Sequence, residues 1–234
     1  MNNSEIQNAF RTLSTALIAD ACVKLQVNFR VGPSIITSIK KGMKIAGHIT
    51  PVKHNGSVDI FLEAIDKAKD GNILYIDNSG RNDEACIGDL TVLETKQAGL
   101  IGMVVWGCHR DSKELSEINF PVFSTGKLPV GPRRTKLETP ESREVLLEQD
   151  QIFDSDVMFA DDDGIVVISD LDLDRVLEQA LEIYLQERKQ VEKLLIGLSL
   201  RQQFHFSDYL QIREKQKDYT FRDHLHKIGG AIEE

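Results

Sequence analysis

The chain has 234 residues, 41% of them hydrophobic and 28% charged, and a formal net charge of −9. Those proportions suit a globular protein able to bury a full core, as one large domain or one domain with an appendage. An acidic chain with no block of Lys and Arg excludes a phosphate-backbone binder, and no apolar run approaches the roughly 18–20 residues needed to span a bilayer.

Residues 5–25 predict a helix, with Ile6, Phe10, Leu13, Leu17 and Ala21 recurring at three- and four-residue intervals. The opening "MNNSEIQNAF" lacks the basic-then-apolar pattern of a secretion signal. "SIKKGMKIAGHITPVKH" reads as short strands around a Lys-Gly turn, and "SVDIFLEAIDKAKDG" as a helix stopped by Gly71. "NILYIDNSG" is a β-rich run ending in turn residues. A helix is expected from Asp89 to about Ala98, then the strand "LIGMVVWG", then a short helix in "HRDSKELSEI". "FPVFSTGKLPVGP" reads as a strand and an irregular Pro/Gly loop. β segments in "REVLLEQDQIF", "SDVMFADDDG" and "IVVIS" close the domain, with Asp163-Gly164 as a tight turn and "ADDDG" as a polar one.

Strands alternating with helices, then a β-rich tail, predict a layered α/β domain over residues 1–170. Residues 171–234 form an extension: a long amphipathic helix over 174–200, then a polar arm with scattered aromatics. Within that arm, "FRDHLHK" with His224 and His226 reads as packed rather than pocket-lining. Cys22, Cys86 and Cys108 are odd in number and lack metal-ligand spacing. They read as reduced thiols of a cytoplasmic protein.

The stretch "GDLTVLETKQAGLIGMVVWGCHRD", Gly88 to Asp111, carries the chemistry. A core-like strand ends abruptly in His109, Arg110 and Asp111, and Asp89 stands in a Gly-Asp turn before the preceding helix. In open α/β sheets ligands bind at the carboxyl ends of strands, beside helix amino termini. Free N–H groups after Gly88 suit a substrate carboxylate. The planar fork of Arg110 suits a carboxylate or enolate oxygen. Asp111 suits a hard cation such as Mg2+, which takes one or two carboxylates and keeps several waters. The plain alternative is that Asp89 and Asp111 cap their helices and Arg110 pairs with one of them on the surface.

These residues resemble the regulator of ribonuclease activity A (RraA)-like family, which includes 4-hydroxy-4-methyl-2-oxoglutarate / 4-carboxy-4-hydroxy-2-oxoadipate aldolases. The family hallmark, an Asp, twenty residues, then Arg-Asp, is matched by Asp89, Arg110 and Asp111. "LSTALIADAC", "GNILYIDNSG", "GCHRDSKEL", "PVFSTGKLPVGP" and "MFADDDGIVVIS" fit in order over roughly residues 12–170, and "YTFRDHLHKIGGAIEE" resembles the ending of longer members. Three places depart from the pattern. Asp77-Asn78-Ser79-Gly80 replaces a Gly-rich turn, His109 replaces a small apolar residue, and Asp154-Ser155-Asp156 replaces Pro-Gly-Asp.

The resemblance implies a three-layer β/β/α swivelling-type domain with a C-terminal helical extension. It implies a homo-oligomer, a trimer or hexamer, with active sites between subunits. The turn Gly88, Asp89, Leu90 and Thr91 would bind a pyruvate moiety through backbone N–H groups, Arg110 would contact its oxo group, and Asp111 would ligate Mg2+ or another divalent cation such as Mn2+. The activity implied is retro-aldol cleavage of a small 2-oxo acid to pyruvate, with oxaloacetate decarboxylation as a close secondary activity. A metal-assisted route needs no Schiff-base lysine, which suits a chain with no obvious buried lysine. The other role known on this scaffold is a non-catalytic protein-binding regulator.

Glu187 completes the candidates, with Asp89 and Arg110, for catalysis. Leu177, Tyr184, Val191 and Leu198 repeat every seven residues, and Ala180 and Leu194 take the companion seam position, which Glu187 interrupts. It reads either as a carboxylate offered to a neighbouring subunit's site or as a solvated face residue on a slightly rotated helix.

Overall fold

The structure, a computed structural model, describes residues 1–132 and 144–229. Arg143, which begins the predicted "REVLLEQDQIF" segment, and the last five residues of the tail lie outside them. The chain forms two compact units, Met1–Ala16 with Asn28–Asp174, and Leu17–Val27 with Arg175–Glu234.

The predicted helix over 5–25 is two helices, α1 (Asn3–Phe10) and α2 (Thr15–Leu25). α1 starts on a reciprocal cap in which the Asn2 side chain accepts from Glu5 N and the Glu5 side chain from Asn2 N. α2 starts where Asp161 accepts from Thr15 N (2.9 Å) and Thr15 Oγ1 (2.6 Å). That capping carboxylate lies 146 residues away, so periodicity within residues 5–25 does not reveal the break. Two acidic groups of "ADDDG" thereby become structural, because Asp162 also accepts from Gly42 N in the Lys-Gly turn.

The first unit is built on an eight-stranded mixed sheet, order β1-β13-β12-β3-β4-β6-β8-β2. Its strands are β1 (Phe29–Val31), β2 (Thr37–Ser38), β3 (Ile45–Lys53), β4 (Ile73–Asp77), β6 (Gly102–Trp106), β8 (Val122–Ser124), β12 (Asp156–Asp161) and β13 (Gly164–Ser169). β3, β4, β6 and β8 run parallel, while β12 and β13 form the antiparallel flank. β4 is buried along its whole length, with Ile73 and Tyr75 in one core cluster and Leu74 and Ile76 in the other. That is the pattern of a parallel strand covered on both faces, and it explains an apolar run without alternation. One cluster joins Ile165 and Val167 of β13 to Val104 of β6, so the sheet curls and its antiparallel flank folds over the parallel strands. The short hairpin β10 (Leu146–Leu147) and β11 (Asp150–Gln151) adds Leu147 to that cluster. The other cluster is sealed by Phe61 and Ile65 of α3 (Asp59–Lys67), Val92 of α4 (Asp89–Gln97) and Leu115 of α5 (Ser112–Ile118). The result is a mixed α/β architecture in β/β/α layers.

Two boundaries differ from expectation. α3 ends at Lys67, with Ala68 already extended, and Gly71 instead serves a later turn at φ +78°. The strand expected through Gly107 stops at Trp106. Cys108–His109 is a separate strand, β7, in a small parallel sheet with β5 (Ala85–Ile87) and β9 (Gly126–Lys127). A Cβ at Gly107 would stand 2.7 Å from the Asn78 side chain, so the chain changes sheets at a residue that must be small.

The second unit holds α6 (Leu173–Leu195), α7 (Leu200–Gln203), α8 (Phe206–Lys215) and α9 (Phe221–Ile228). α6 stops short of residue 200 because Gly197, at φ +93°, turns the chain back, with Leu198 N donating to Lys193 O. Val176, Leu177, Ala180 and Ile183 are buried along α6, whereas Leu195 and Ile196 at its end are 81% and 83% exposed. The polar arm is more ordered than its composition suggests. Phe206, Tyr209, Phe221 and His224 pack edge-to-face or tilted, and His224 Nε2 hydrogen-bonds Phe204 O at 2.8 Å. His224 is thus a packed residue as expected, whereas His226 lines a surface hollow with Gln186 and Arg222. No helix among the described residues is long and apolar enough to cross a membrane.

Candidate functional site

The small sheet explains the spacing of Asp89 and Arg110. β5 and β7 are parallel neighbours, paired Ala85 with Cys108 and Ile87 with His109. Each runs straight into a turn and a helix: β5 into Gly88 and α4, β7 into Arg110, Asp111 and α5. The two turns therefore lie side by side, fixed by Arg110 N donating to Ile87 O at 3.0 Å. Twenty intervening residues are what α4 and β6 require to return the chain.

Within this pair of turns the carboxylate of Asp111 meets Arg110 Nε at 3.4 Å and accepts from Asp89 N at 3.4 Å. A Cβ at Gly88 would sit 2.3 Å from Asp111 Oδ2 and 3.3 Å from Arg110 Nε, so only glycine leaves room for both. Gly131 does the same on the far side, where a Cβ would stand 2.6 Å from Arg110 Nη1. Asp111 also adopts the left-handed conformation at φ +58°, ψ +41°. Asp tolerates that region better than most residues, and non-glycine outliers of this kind collect at functional sites. Asp111 stands at the N-cap of α5 yet makes no side-chain cap bond there, whereas its partly exposed pairing with Arg110 is the one the plain alternative expects.

The expected free N–H groups at the start of α4 are already engaged. Gly88 N donates to Thr91 Oγ1 (3.1 Å), Asp89 N to Asp111, and Leu90 N to Asp89 Oδ1 (2.8 Å). Asp111 makes the longest of these contacts. The Leu90 side chain is 75% exposed and adds only its backbone.

Arg110, Asp111, Ser112, Lys127, Leu128 and Pro129 line a hollow of about 300 Å3. A wider groove of about 650 Å3 along Ser199–Asp208 in the second unit contains none of the candidate residues. The donor set of the smaller hollow fits a hard cation. Asp111 is one-third exposed with only two long contacts, and no group of three His, Cys, Asp or Glu side chains converges among the described residues. One carboxylate completed by waters suits Mg2+ or Mn2+, whereas a structural zinc would need four protein ligands.

His109 is buried, with Nδ1 2.7 Å from Ser124 Oγ and Nε2 3.0 Å from Ser112 Oγ. Burial, then the nearby Lys127 charge, holds its pKa below the ordinary value. Its neutral ring braces the wall of the hollow. Glu187 is not among the residues that line this hollow: it belongs to the second unit, on α6, about one-third exposed and 4.0 Å from Arg188 Nη2.

Sequence reasoning missed a buried polar network at the ends of β3 and β4. Asp77 is fully buried and accepts from Lys53 Nζ (2.7 Å), Ser79 N (2.7 Å) and Leu146 N (2.8 Å). The chain thus does hold a largely buried lysine, but ion pairing to Asp77 makes Lys53 a poor Schiff-base nucleophile. Beside it, Asn78 Oδ1 lies 2.8 Å from His54 Nδ1 and accepts from Arg81, which also pairs with Glu84 at 2.6 Å. Arg81 can only donate, so Asn78 must present oxygen there, and His54 Nδ1 must carry the proton. The departure from the Gly-rich turn at Asp77–Gly80 was the available signal.

Burial, the largest influence, holds the His54 pKa below its ordinary 6.5 despite the Asn78 hydrogen bond. The unfolded chain therefore takes up a proton that the folded one resists. Stability is full above pH 6.5 and falls as pH drops through 6.5 toward the folded value. Urea unfolding at pH 7.5 and 5.5 should show this loss, and His54→Gln should reduce it; an unchanged pH slope in the variant would assign the effect to other groups.

Comparison with known proteins places this geometry. A family model described as "RraA-like: Aldolase/RraA" matches residues 15–167. "Protein DlpA" of Legionella pneumophila is 27% identical over 207 residues, which cover 86% of this chain but only 31% of that longer protein. A Bacillus anthracis protein named "Putative 4-hydroxy-4-methyl-2-oxoglutarate aldolase" is 27% identical over 158 residues, 67% of this chain and 97% of that one. Among solved structures, Streptomyces coelicolor RraAS2, titled an unusual member of the RNase ES inhibitor RraA protein family, superposes with a TM-score of 0.69 at 21% identity, covering 82% of this chain and all of that one. The matched region contains both turns, the lining of the hollow and most of the curled sheet, and the chain belongs to the RraA-like family.

Proposed function

We propose that the protein is a divalent-metal-dependent lyase that cleaves a 4-hydroxy-2-oxo acid to pyruvate and a second carbonyl compound. The observation that carries this reading is the packing of the Asp111 carboxylate against Arg110 and the Asp89 N–H, with Gly88 and Gly131 leaving the space, beside a hollow that Arg110 and Asp111 line. The aldolase names of relatives support the same reaction class. Such packing of a carboxylate between a guanidinium and a helix amino terminus has no evident use in a surface regulator.

Asp111 would hold the cation, Mg2+ or Mn2+, which supplies Lewis acidity toward the 2-oxo group. An Asp111 carboxylate engaged in holding that cation would leave the Asp89 N–H and one side of Arg110 free. The substrate carboxylate then replaces Asp111 at the start of α4, where the helix dipole favours an anion. Loss of the C4 hydroxyl proton makes the C4–O bond a carbonyl. The C3–C4 electron pair moves toward C2, and Arg110 N–H groups stabilise the developing oxyanion. A proton returned to C3 gives pyruvate. Oxaloacetate would lose CO2 through the same enolate, so decarboxylation is a secondary activity of the same residues.

Glu187 is the proposed acceptor of the C4 hydroxyl proton, delivered from the extension of a neighbouring subunit in a trimer or hexamer. The exposed Leu195 and Ile196 at the end of α6 supply apolar surface for such an assembly. Cys22, Cys86 and Cys108 are buried thiols outside any disulfide, which supports the proposed cytoplasmic setting. Glu187→Gln keeps volume and hydrogen bonding and should lower kcat about tenfold, with solvent left to take the proton, while the unfolding midpoint stays put. Unchanged kcat would make Glu187 a surface residue. The reading as a whole is tested by assaying pyruvate release, with Mg2+, from a panel of 4-hydroxy-2-oxo acids and oxaloacetate; release from none of them would overturn it.

A further inference from the structure

The hollow beside Arg110 has one feature that cleavage at the pyruvyl end leaves unused. Lys127 lies on β9, in register with His109 of β7, and Leu128 N donates to His109 O at 2.8 Å. The backbone thus fixes the root of this side chain on the wall opposite α5. Arg110 is already engaged with Asp111, and its Nη1 is lodged against Gly131. Lys53, Lys67 and Lys113 each have a carboxylate partner. Lys127 has no ion pair or hydrogen bond to any described residue, although it lines a concave site in a chain of net charge −9. Leu128 and Pro129 add an apolar part to the same lining.

We propose that Lys127 is a specificity-determining residue that reads a second carboxylate on the substrate, remote from its 2-oxo acid end. The inference rests on the reading of the Arg110–Asp111 hollow as a 2-oxo acid site. The apolar wall receives the carbon skeleton, and the ammonium pairs with a terminal carboxylate at the rim. Such a cation acts by charge, so Arg at the same position retains most of the effect and a neutral chain of the same length does not.

The test uses two ligands of equal length, 2-oxoglutarate and 2-oxopentanoate, which differ by one carboxylate. Neither bears a 4-hydroxyl group, so retro-aldol cleavage cannot intervene. Calorimetric titration in the presence of Mg2+ should give about tenfold tighter binding of 2-oxoglutarate to the wild type. Lys127→Met should abolish that preference with 2-oxopentanoate binding unchanged, and Lys127→Arg should keep most of it. Equal affinities in the wild type, or a preference surviving in Lys127→Met, would overturn the proposal. The lyase reading is judged separately: pyruvate release from no hydroxy acid would remove that reading while the binding result for Lys127 stood.

Discussion

Arg110→Lys lowers kcat by about a hundredfold or more while cation affinity stays near wild type. Loss of one directed donor to a developing oxyanion commonly has an effect of that size. Lysine keeps the charge but not the planar fork, and its shorter reach leaves the slot between Gly88 and Gly131 partly empty. The Arg110–Asp111 pair is half-exposed and 3.4 Å long, so its contribution to stability is small and the variant stays folded. Steady-state kinetics with titration of Mn2+ by paramagnetic resonance separates the two effects. A loss of cation affinity equal to the loss of turnover would mean that Arg110 serves the metal site rather than the reacting oxygen.

Gly88→Ala should be nearly as damaging, although it adds one methyl group to a residue with no side-chain chemistry. Its backbone, at φ −150°, is extended and open to any residue, so the requirement for glycine is one of space. The new Cβ would stand 2.3 Å from Asp111 Oδ2, which forces that carboxylate off the Asp89 N–H. Misplacement of a reacting group by about an ångström can lower turnover about a hundredfold. Both cation affinity and kcat should fall, with the unfolding midpoint nearly constant because the displaced atoms are at the partly exposed end of the Asp111 side chain. Wild-type kinetics in Gly88→Ala would show that Asp111 does not act from this position.

The parts of this molecule legible in its sequence are those governed by neighbours along the chain. "ILYID" and "GMVVW" read as buried strands because both faces of β4 and β6 are covered. The Asp89, Arg110 and Asp111 spacing was readable because two parallel neighbours, β5 and β7, each lead directly into a turn. What was not readable depends on contacts distant in sequence. Asp161 splits the first helix from 146 positions away. Gly107 moves the chain between sheets because Asn78 crowds it, and Asp77 gains its partners from Lys53 and Leu146. Lys127 looked like a loop residue in "STGKLPVG" until pairing with His109 set it on the wall of the hollow.

The most direct measurement is pyruvate release across a Mg2+ titration, for the wild type and Asp111→Asn, on whichever 4-hydroxy-2-oxo acid the wild type cleaves fastest. The substitution keeps the shape of the side chain and removes the anion that attracts a hard cation. The wild type should lose activity in EDTA and regain it along a saturating Mg2+ curve. Asp111→Asn should remain folded, with a curve shifted to much higher Mg2+ and a lower plateau. Equal rates for the two proteins, or wild-type release that persists undiminished in EDTA, would contradict a metal-dependent lyase centred on Asp111.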